Sequence, residues 1–359
     1  MAFNAPELFI NRELSWLRFN TRVLEEASRA ELPLLERLKY IAIYATNLDE
    51  FYMIRIAALQ EMYKQRINPK TADKLMTSEL LQEIRLYLHS ELNQLEKAVQ
   101  TIHSELAAQE FSICEYDDLN PEVQAQADDF FTTHLYPVII PIAVDATHPF
   151  PNMNNLSFSI VVKLKDNDNG KIRFGLVRVP RVLARFFNVA NIFVPIETII
   201  RAHLEDIFIG FTTLSHTSFR VTRNADMIIE EEEAEDFMEL LEKGLRSRRT
   251  GTIVRLEIRE SSEPELLSFL TNHLPVNPDD IYLHNTLLNH GAFWQIVGHE
   301  NFTNLNHKNN TPKVLPPFHG DERIFKAIDK QDIMLFLPYE SFDPVVKLIG
   351  DATADPDVL

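Results

Sequence analysis

Residues 156–180 read LSFSIVVKLKDNDNGKIRFGLVRVP and describe two extended segments joined by a turn. In the first segment, apolar side chains alternate with mostly polar neighbours at Phe158, Ile160, Val162 and Leu164. A strand with one buried face has this period of two. The polar, glycine-containing run DNDNGK follows, and the extended pattern then resumes. This stretch therefore predicts a β-hairpin.

The residues that follow mix strand and helix patterns. The segments SFRVTRNAD at 218–226 and TIVRLEIRE at 252–260 both show the period of two. Between them, residues 231–249 predict a helix with acids in its first turns and bases in its last. Strands and helices in this order predict an α+β domain.

The first hundred residues carry helical periodicity instead. Apolar side chains at helical spacing predict one helix from Glu13 to before Pro33, and further helices over 34–44, 48–66 and 78–109. The last of these is about eight turns long. Each apolar stripe needs a partner, so these segments predict a helical bundle.

The 359 residues and 45% hydrophobic content exceed what one domain core requires. Proline-rich stretches at 137–151 and near KVLPPFHGDERIF suggest where the units meet. We therefore expect an α+β multidomain chain with a helical domain at 1–108, an α+β domain at 109–317 and a third unit beginning at 318–359. Because a helix-like pattern near the end leads into DPDVL, we expect the chain to stop early in that third unit.

Charge and cysteine content narrow the classes of function. A net charge of -18 disfavours general attraction to nucleic acid or to an anionic membrane. The single cysteine cannot form an internal disulfide, and the N-terminus lacks a signal-peptide pattern. No apolar run approaches the roughly 20 residues that cross a bilayer. These features favour the cytoplasm, with peripheral membrane association left open.

No standard catalytic motif occurs in the sequence. Phosphate-binding glycine loops, the nucleophile elbow, H-E-x-x-H and Cys-His metal spacings are all missing. The histidines are scattered, and isolated histidines are more often surface or packing residues than phosphoryl carriers; they include His134, His148, His216, His284 and His290. The sequence thus predicts no catalytic centre in this stretch.

Asn47, in YATNLDEFYMIR at 44–55, is the one candidate binding residue. The residues alone favour an N-cap of the third helix, with Glu50 as a capping-box partner. A cap would use the amide oxygen and leave the amide nitrogen free to donate to a purine ring, so both roles are compatible. The neighbouring Asp49 and Glu50 make a base a better ligand than a phosphate.

Two arginine groups and one acidic run have alternative interpretations. Arg246, Arg248 and Arg249 end an acidic helix, where cations complement the helix dipole. A second group of arginines is favoured to be solvated on a strand face, and it consists of Arg173, Arg178, Arg181 and Arg185. Binding of a polyanion is the alternative interpretation for both groups. The acids at 231–236 favour a solvated helix start over a metal site.

A set of phrases in a fixed order resembles a known family. They are FINRELSWLRFNTRVLEEA, PLLERLKYIAIYATNLDEFYMIRIA, HPFPNMNNLSFSIVVKLK, VRVPR, DIFIGF, FRVTRNAD, RTGTIVRLEI and DIMLFLPYESFDPVV. From about residue 8 to the end, the chain resembles the amino-terminal half of bacterial polyphosphate kinase of the long-chain-synthesising type.

The resemblance implies an enzyme that moves the terminal phosphate of ATP reversibly onto polyphosphate with magnesium. It implies an N-terminal helical domain, an α+β head domain and two phospholipase D-like catalytic domains, the first beginning near residue 318. The phosphorylated histidine and the magnesium site belong to the catalytic domains, so this chain alone is expected to be inactive. Asn47 is the one nucleotide-contacting position carried over.

The implied partners are ATP or ADP and polyphosphate, together with further copies of the chain in a dimer or tetramer, and no nucleic acid. An alternative is an interaction scaffold that supports dimerisation without useful nucleotide binding. A weaker idea is polyphosphate binding through the arginine groups, with an affinity that falls steeply with salt.

Overall fold

The computed structural model describes residues 6–67, 73–144, 148–225, 251–260, 263–308, 310–318 and 324–358. The chain forms two compact units, residues 1–306 and residues 307–359. The first unit contains a helical N-terminal part and two β-sheets. A mixed α and β architecture with a helical start therefore agrees with the predicted fold class.

Four helices make up the N-terminal part. They are α1 (Arg12–Glu26), α2 (Leu34–Phe51), α3 (Ala57–Lys64) and α4 (Thr77–Ala107). Asn11 caps α1, because its side-chain oxygen accepts hydrogen bonds from the Glu13 and Leu14 amides. The first helix and the long fourth helix were both predicted from apolar periodicity, and both are confirmed.

The predicted break between the second and third helices is wrong. α2 runs through residues 44–48 without interruption, and one π-helical turn at Tyr52–Ile56 connects it to α3. Asn47 is therefore inside a helix and caps nothing. No proline or glycine interrupts this stretch, and an interior asparagine costs only roughly 0.7 kcal/mol relative to alanine, which tertiary packing readily offsets.

The helices share their cores with later parts of the chain. One cluster joins Leu38 and Ile41 of α2 and Ile102 of α4 to Phe193 and Phe293. Another joins Ile84 of α4 to strand residues Val254 and Tyr282. The helical part is thus not a separate bundle with its own closed core, and its apolar stripes are buried partly against the β-containing part.

The larger sheet has six strands in the order β2-β4-β3-β7-β8-β9. Neighbouring strands are antiparallel except for β8 and β9, which are parallel. Its strands are β2 (Pro141–Val144), β3 (Ser157–Asp166), β4 (Ile172–Arg178), β7 (Phe211–Arg223), β8 (Ile253–Arg259) and β9 (Ile281–His284). A smaller sheet has the order β1-β6-β5, with β1 (Ser112–Ile113), β5 (Phe186–Val189) and β6 (Ile192–Pro195).

The predicted hairpin is confirmed as β3 and β4, with Val162 opposite Gly175. Its turn is held by Asp166, whose Oδ1 accepts hydrogen bonds from the Asp168 and Asn169 amides. Gly170 has a φ of 70°, in the left-handed region that glycine adopts at no steric cost.

The proline-rich stretch predicted as a connection also contains a strand. β2 pairs with β4 at the edge of the larger sheet. An edge strand tolerates Pro141, because a proline at such a position need not donate to a ladder. The sequence prediction missed this strand because four prolines argued for irregular backbone throughout.

Both faces of the larger sheet are buried. Phe219 and Val221 of β7 pack with Leu266 and Leu270 of a helix on one face. On the other face, Ile160 and other apolar side chains pack against a different set of helices. The helices of this region are α5 (Pro121–Phe130), α6 (Ile196–Ala202), α7 (Leu204–Ile207), α8 (Pro264–His273) and α9 (Trp294–Val297).

The second unit contains α10 (Ile324–Lys330) and α11 (Asp343–Thr353). An isolated bridge pairs Lys313 with Glu340. The helix predicted over 231–249 lies outside the described residues, as do Arg246, Arg248, Arg249 and the acids at 231–236.

Candidate functional site

The polar face of β7 and β8 carries four charged or hydroxyl side chains in the interior. Arg220 lies opposite Glu257, and Thr222 lies opposite Arg255 in the strand register. Side chains two residues apart share a face of a strand, so these four residues point the same way. All four are less than 9% exposed, so this face is covered and not solvated.

Asp49 of α2 forms ion pairs with both arginines of this face. Arg220 donates from Nη1 to Asp49 Oδ1 at 2.8 Å, and its Nη2 also contacts Asp49 Oδ2. Arg255 Nη2 contacts Asp49 Oδ1. One carboxylate thus accepts from two guanidiniums on two strands, which fixes the rotation and height of α2 over the sheet.

Glu257 balances the remaining charge. Arg220 Nη1 donates to Glu257 Oε2 at 2.8 Å, and Arg255 Nη2 lies 3.1 Å from the same oxygen. Burial by itself would raise the pKa of Glu257, but the Arg255 and Arg220 guanidiniums overcome it and lower the pKa to about 2. With two arginines and two carboxylates, the cluster is formally neutral, as buried charges require.

Aromatic side chains enclose this ion cluster. The Arg255 guanidinium carbon lies 4.6 Å from the centroid of the Tyr52 ring. The Tyr52 hydroxyl donates to the Tyr282 hydroxyl oxygen at 2.6 Å. Burial raises the pKa of Tyr282 to about 12 and also raises the pKa of Tyr52, so both phenols stay neutral beside Arg255.

Two buried histidines lie beside the cluster. His284 Nε2 lies 3.6 Å from Glu257 Oε1, and His290 Nε2 lies 3.3 Å from the Thr286 hydroxyl. Burial lowers the pKa of His284 below its usual range, and it lowers the pKa of His290 to about 3. Both imidazoles are therefore neutral at physiological pH.

An open cleft borders the outer side of the cluster. Its volume is about 330 Å³, and α2 contributes Thr46 and Asp49 to its wall. The rest of the wall is mixed, with apolar side chains from Leu156, Phe158, Val179, Pro180, Leu183 and Ala292 and polar groups on Arg181, Arg185, Arg220, Asn289 and Gln295. The cleft therefore combines apolar surface with three guanidinium groups and one carboxylate.

Asn47 lies on the side of α2 that faces α1. Its side chain is half-buried, and its Nδ2 donates to Asn20 Oδ1 of α1 at 3.0 Å. Thr46, the preceding residue, is exposed and lines the cleft, whereas Asn47 is not among the lining residues. Asn47 is thus partly open to solvent, while other residues of α2 form the cleft wall.

The second arginine group does not form one basic patch. Arg185 is only 7% exposed, pairs with Glu197 at 2.7 Å and lies over the Phe158 ring. The solvated interpretation is therefore wrong for Arg185, because its ring contact and buried partner replace water. Arg178 donates to the Asn152 carbonyl oxygen, Arg181 to that of Asn155, and Arg173 lies 3.5 Å from Asp166.

The scattered histidines have different environments. His134 and His148 are exposed, His216 is half-buried, and His284 and His290 are buried. Among the described residues, no three histidine, cysteine, aspartate or glutamate side chains form a group that could hold a metal ion.

Comparison with known proteins identifies the family. The polyphosphate kinase N-terminal domain matches residues 9–114, the middle domain matches 122–296, and C-terminal domain 1 matches 323–359. The chain belongs to the polyphosphate kinase family.

Curated relatives agree over nearly the whole chain. It is 50% identical over 357 residues to a polyphosphate kinase of Campylobacter jejuni, covering 99% of this chain and 51% of the relative. It is 42% identical over 362 residues to one of Helicobacter pylori, covering 98% of this chain and 54% of the relative. The chain thus spans about half the length of the curated relatives it matches.

A solved structure supports the fold. The crystal structure of polyphosphate kinase from Porphyromonas gingivalis is similar with a TM-score of 0.78 at 21% identity, covering 97% of this chain and 50% of that one. In the described part of the chain, the helices are too short or too polar to span a bilayer.

The sequence prediction missed the ion cluster. Asp49, Arg220, Arg255 and Glu257 are spread over more than 200 positions, and none is part of a motif with a known spacing. Alternation in FRVT and VRLE indicated one polar face on each strand, but a solvated face gives the same pattern. Only the packing of α2 shows that the polar face is interior.

Replacing Asp49 with asparagine should destabilise the first unit. Asp49→Asn leaves two buried guanidiniums against one carboxylate, and breaking a buried pair in this way costs about 3 kcal/mol or more. Urea unfolding followed by circular dichroism measures the loss. Glu50→Gln, on the neighbouring exposed position, should change the unfolding free energy by less than about 0.5 kcal/mol. Equal effects of the two substitutions would contradict this role of Asp49.

Stability should fall as the pH drops below about 6.5, the pKa of an unfolded histidine. Burial lowers the folded-state pKa of His290 to about 3, so the unfolded chain binds the extra proton between these values. The contribution of His290 to the free energy of unfolding is complete above pH 6.5. It is lost at about 1.4 kcal/mol per pH unit as the pH falls towards 3.

Urea unfolding between pH 7 and pH 5.5 tests this expectation. His290→Gln should reduce the slope of unfolding free energy against pH, and the exposed control His134→Gln should leave it unchanged. Parallel slopes for the His290 variant and the unaltered chain would show that His290 does not titrate on unfolding.

Proposed function

We propose that this chain is the part of a polyphosphate kinase that helps bind the base of the nucleotide and supports dimerisation. The complete enzyme would transfer the terminal phosphate of ATP reversibly to polyphosphate, through a phosphohistidine on the catalytic domains that the family resemblance implies. The observation that carries the proposal is the family match over nearly the whole chain, and the half-buried Asn47 is the position at which we propose the contact with the base.

The chemistry beside Asn47 favours a base over a phosphate. The residues that follow Asn47 in the sequence are the apolar Leu48 and the acidic Asp49 and Glu50, and none of them supplies a cation. A neutral carboxamide and apolar side chains recognise a purine by hydrogen bonds and packing. The Asn47 carboxamide, which is partly open to solvent, would contact the edge of the base.

The phosphates would be handled elsewhere in the complete enzyme. Transfer between two polyanions needs cations or magnesium against the developing charge. The described residues contain no group that fits a metal ion, and the chain carries a net charge of -18. We therefore assign magnesium and the polyphosphate chain to the further domains, and to this part only the nucleotide base.

Nucleotide binding is tested by titrating the chain with ATP in a calorimeter. Asn47→Ala removes one hydrogen-bonding amide, and such a bond contributes about 0.5–1.5 kcal/mol, so affinity should fall about threefold to tenfold. The matched control is Asn93→Ala on the exposed face of α4, which should bind ATP as the unaltered chain does.

The alternative role, a dimerisation scaffold, predicts a different result. In that case the chain would form stable dimers in sedimentation experiments but would show no ATP binding that depends on Asn47. ATP binding that is equal in the Asn47 and Asn93 variants would also overturn the proposed contact.

The chain alone should be catalytically inactive. We expect no phosphate transfer from ATP to polyphosphate when magnesium is added to this 359-residue chain, and transfer with a full-length polyphosphate kinase under the same conditions. Radiolabelled ATP and separation of the polymer product measure the reaction. Turnover by the 359-residue chain would contradict the assignment of the reacting groups to other domains.

A further inference from the structure

Asn20 of α1 is held in one orientation by the backbone of α2. It is 1% exposed, and its Nδ2 donates to the Tyr44 carbonyl oxygen at 3.2 Å. A carbonyl oxygen can only accept, so the Asn20 nitrogen must face Tyr44. The Asn20 oxygen is then directed to its other neighbour.

That neighbour is Asn47, and the orientation of Asn20 fixes the orientation of the Asn47 amide. Asn47 Nδ2 donates to Asn20 Oδ1 at 3.0 Å. If the Asn47 amide rotated by 180°, two oxygens would face each other. A compensating rotation of Asn20 would set its oxygen against the Tyr44 carbonyl. The hydrogen-bond chain from Tyr44 through Asn20 therefore permits a single orientation of Asn47.

This orientation fixes what Asn47 offers to a ligand. One N–H is used by Asn20, which leaves the carboxamide oxygen as an acceptor and the second N–H as a donor. Among the described residues, no donor is bonded to that oxygen, and the side chain is half-buried. An adenine edge has the complementary pair, an amino N–H and a ring nitrogen. In hypoxanthine the amino group is replaced by a carbonyl oxygen, which would face the Asn47 oxygen.

We propose that Asn20 is a positioning residue that sets a preference for adenine by preventing rotation of the Asn47 amide. This inference rests on the proposed contact between Asn47 and the base. Asn20 does not touch the nucleotide itself. An asparagine free to rotate would accommodate either base, so selectivity would come from the buried partner in α1.

The first measurement compares ATP with inosine triphosphate on the unaltered chain. Inosine triphosphate is the better probe than GTP, because it lacks the additional amino group of guanine. A mismatched donor and acceptor pair reduces binding by about tenfold or more, so ATP should bind more tightly by that factor. Equal affinities would overturn the inference.

Two substitutions at position 20 separate orientation from stability. Asn20→Ser removes the fixed acceptor, so the preference for ATP should shrink to within about twofold. Asn20→Asp keeps an oxygen that accepts from Asn47, so the preference should persist although both variants lose the bond to Tyr44. Leu24→Val, in the buried core of the same helix, controls for lowered stability and should retain the preference.

The outcomes distinguish this inference from the proposed function. If ATP binding depends on Asn47 and the serine variant keeps the full preference, the inference fails and the proposed function remains. If no variant alters binding, both fail. If the serine variant does not fold, the aspartate variant decides. Loss of the preference for ATP in the aspartate variant would overturn the inference. Retention of the preference in that variant, together with a preference for ATP in the unaltered chain, would support the inference.

Discussion

The structure depends on one carboxylate shared by two arginines. Asp49 lies on the second helix of the N-terminal part, and Arg220 and Arg255 lie on adjacent strands of the larger sheet. The contact joins segments separated by 171 and 206 positions. Because all three side chains are largely withdrawn from water, the ion pairs specify how the helix packs on the sheet more than they add stability.

That packing explains why the helical part and the β-containing part form one unit. Side chains from α4, β8 and β9 share a single apolar cluster, and the ion cluster lies next to it. The apolar cluster supplies the hydrophobic driving force, which is not directional. The charged cluster supplies direction, because a guanidinium fork donates hydrogen bonds to a carboxylate only within a narrow range of geometry.

The same packing holds α2 in place from two sides. Asp49 fixes α2 on the sheet side, and Asn20 holds α2 from the side of α1 through Tyr44 and Asn47. A polar side chain such as Asn47, held by one buried neighbour that is itself fixed, loses less entropy when a ligand binds. In the proposed contact with the base, the Asn47 amide is therefore oriented before the nucleotide binds.

The sequence by itself determined the local elements and the family. Periodicity gave α1, α4 and the β3–β4 hairpin, because apolar spacing and turn chemistry are local properties, and ordered phrases gave the polyphosphate kinase resemblance. Only the tertiary structure decided that α2 continues through Asn47, that Arg185 is buried and that the polar face of β7 and β8 meets Asp49. The physical reason is that capping, solvation and buried pairing of a polar residue give the same one-dimensional pattern. The difference lies in which distant segment covers that residue, and this depends on the packing of the whole unit.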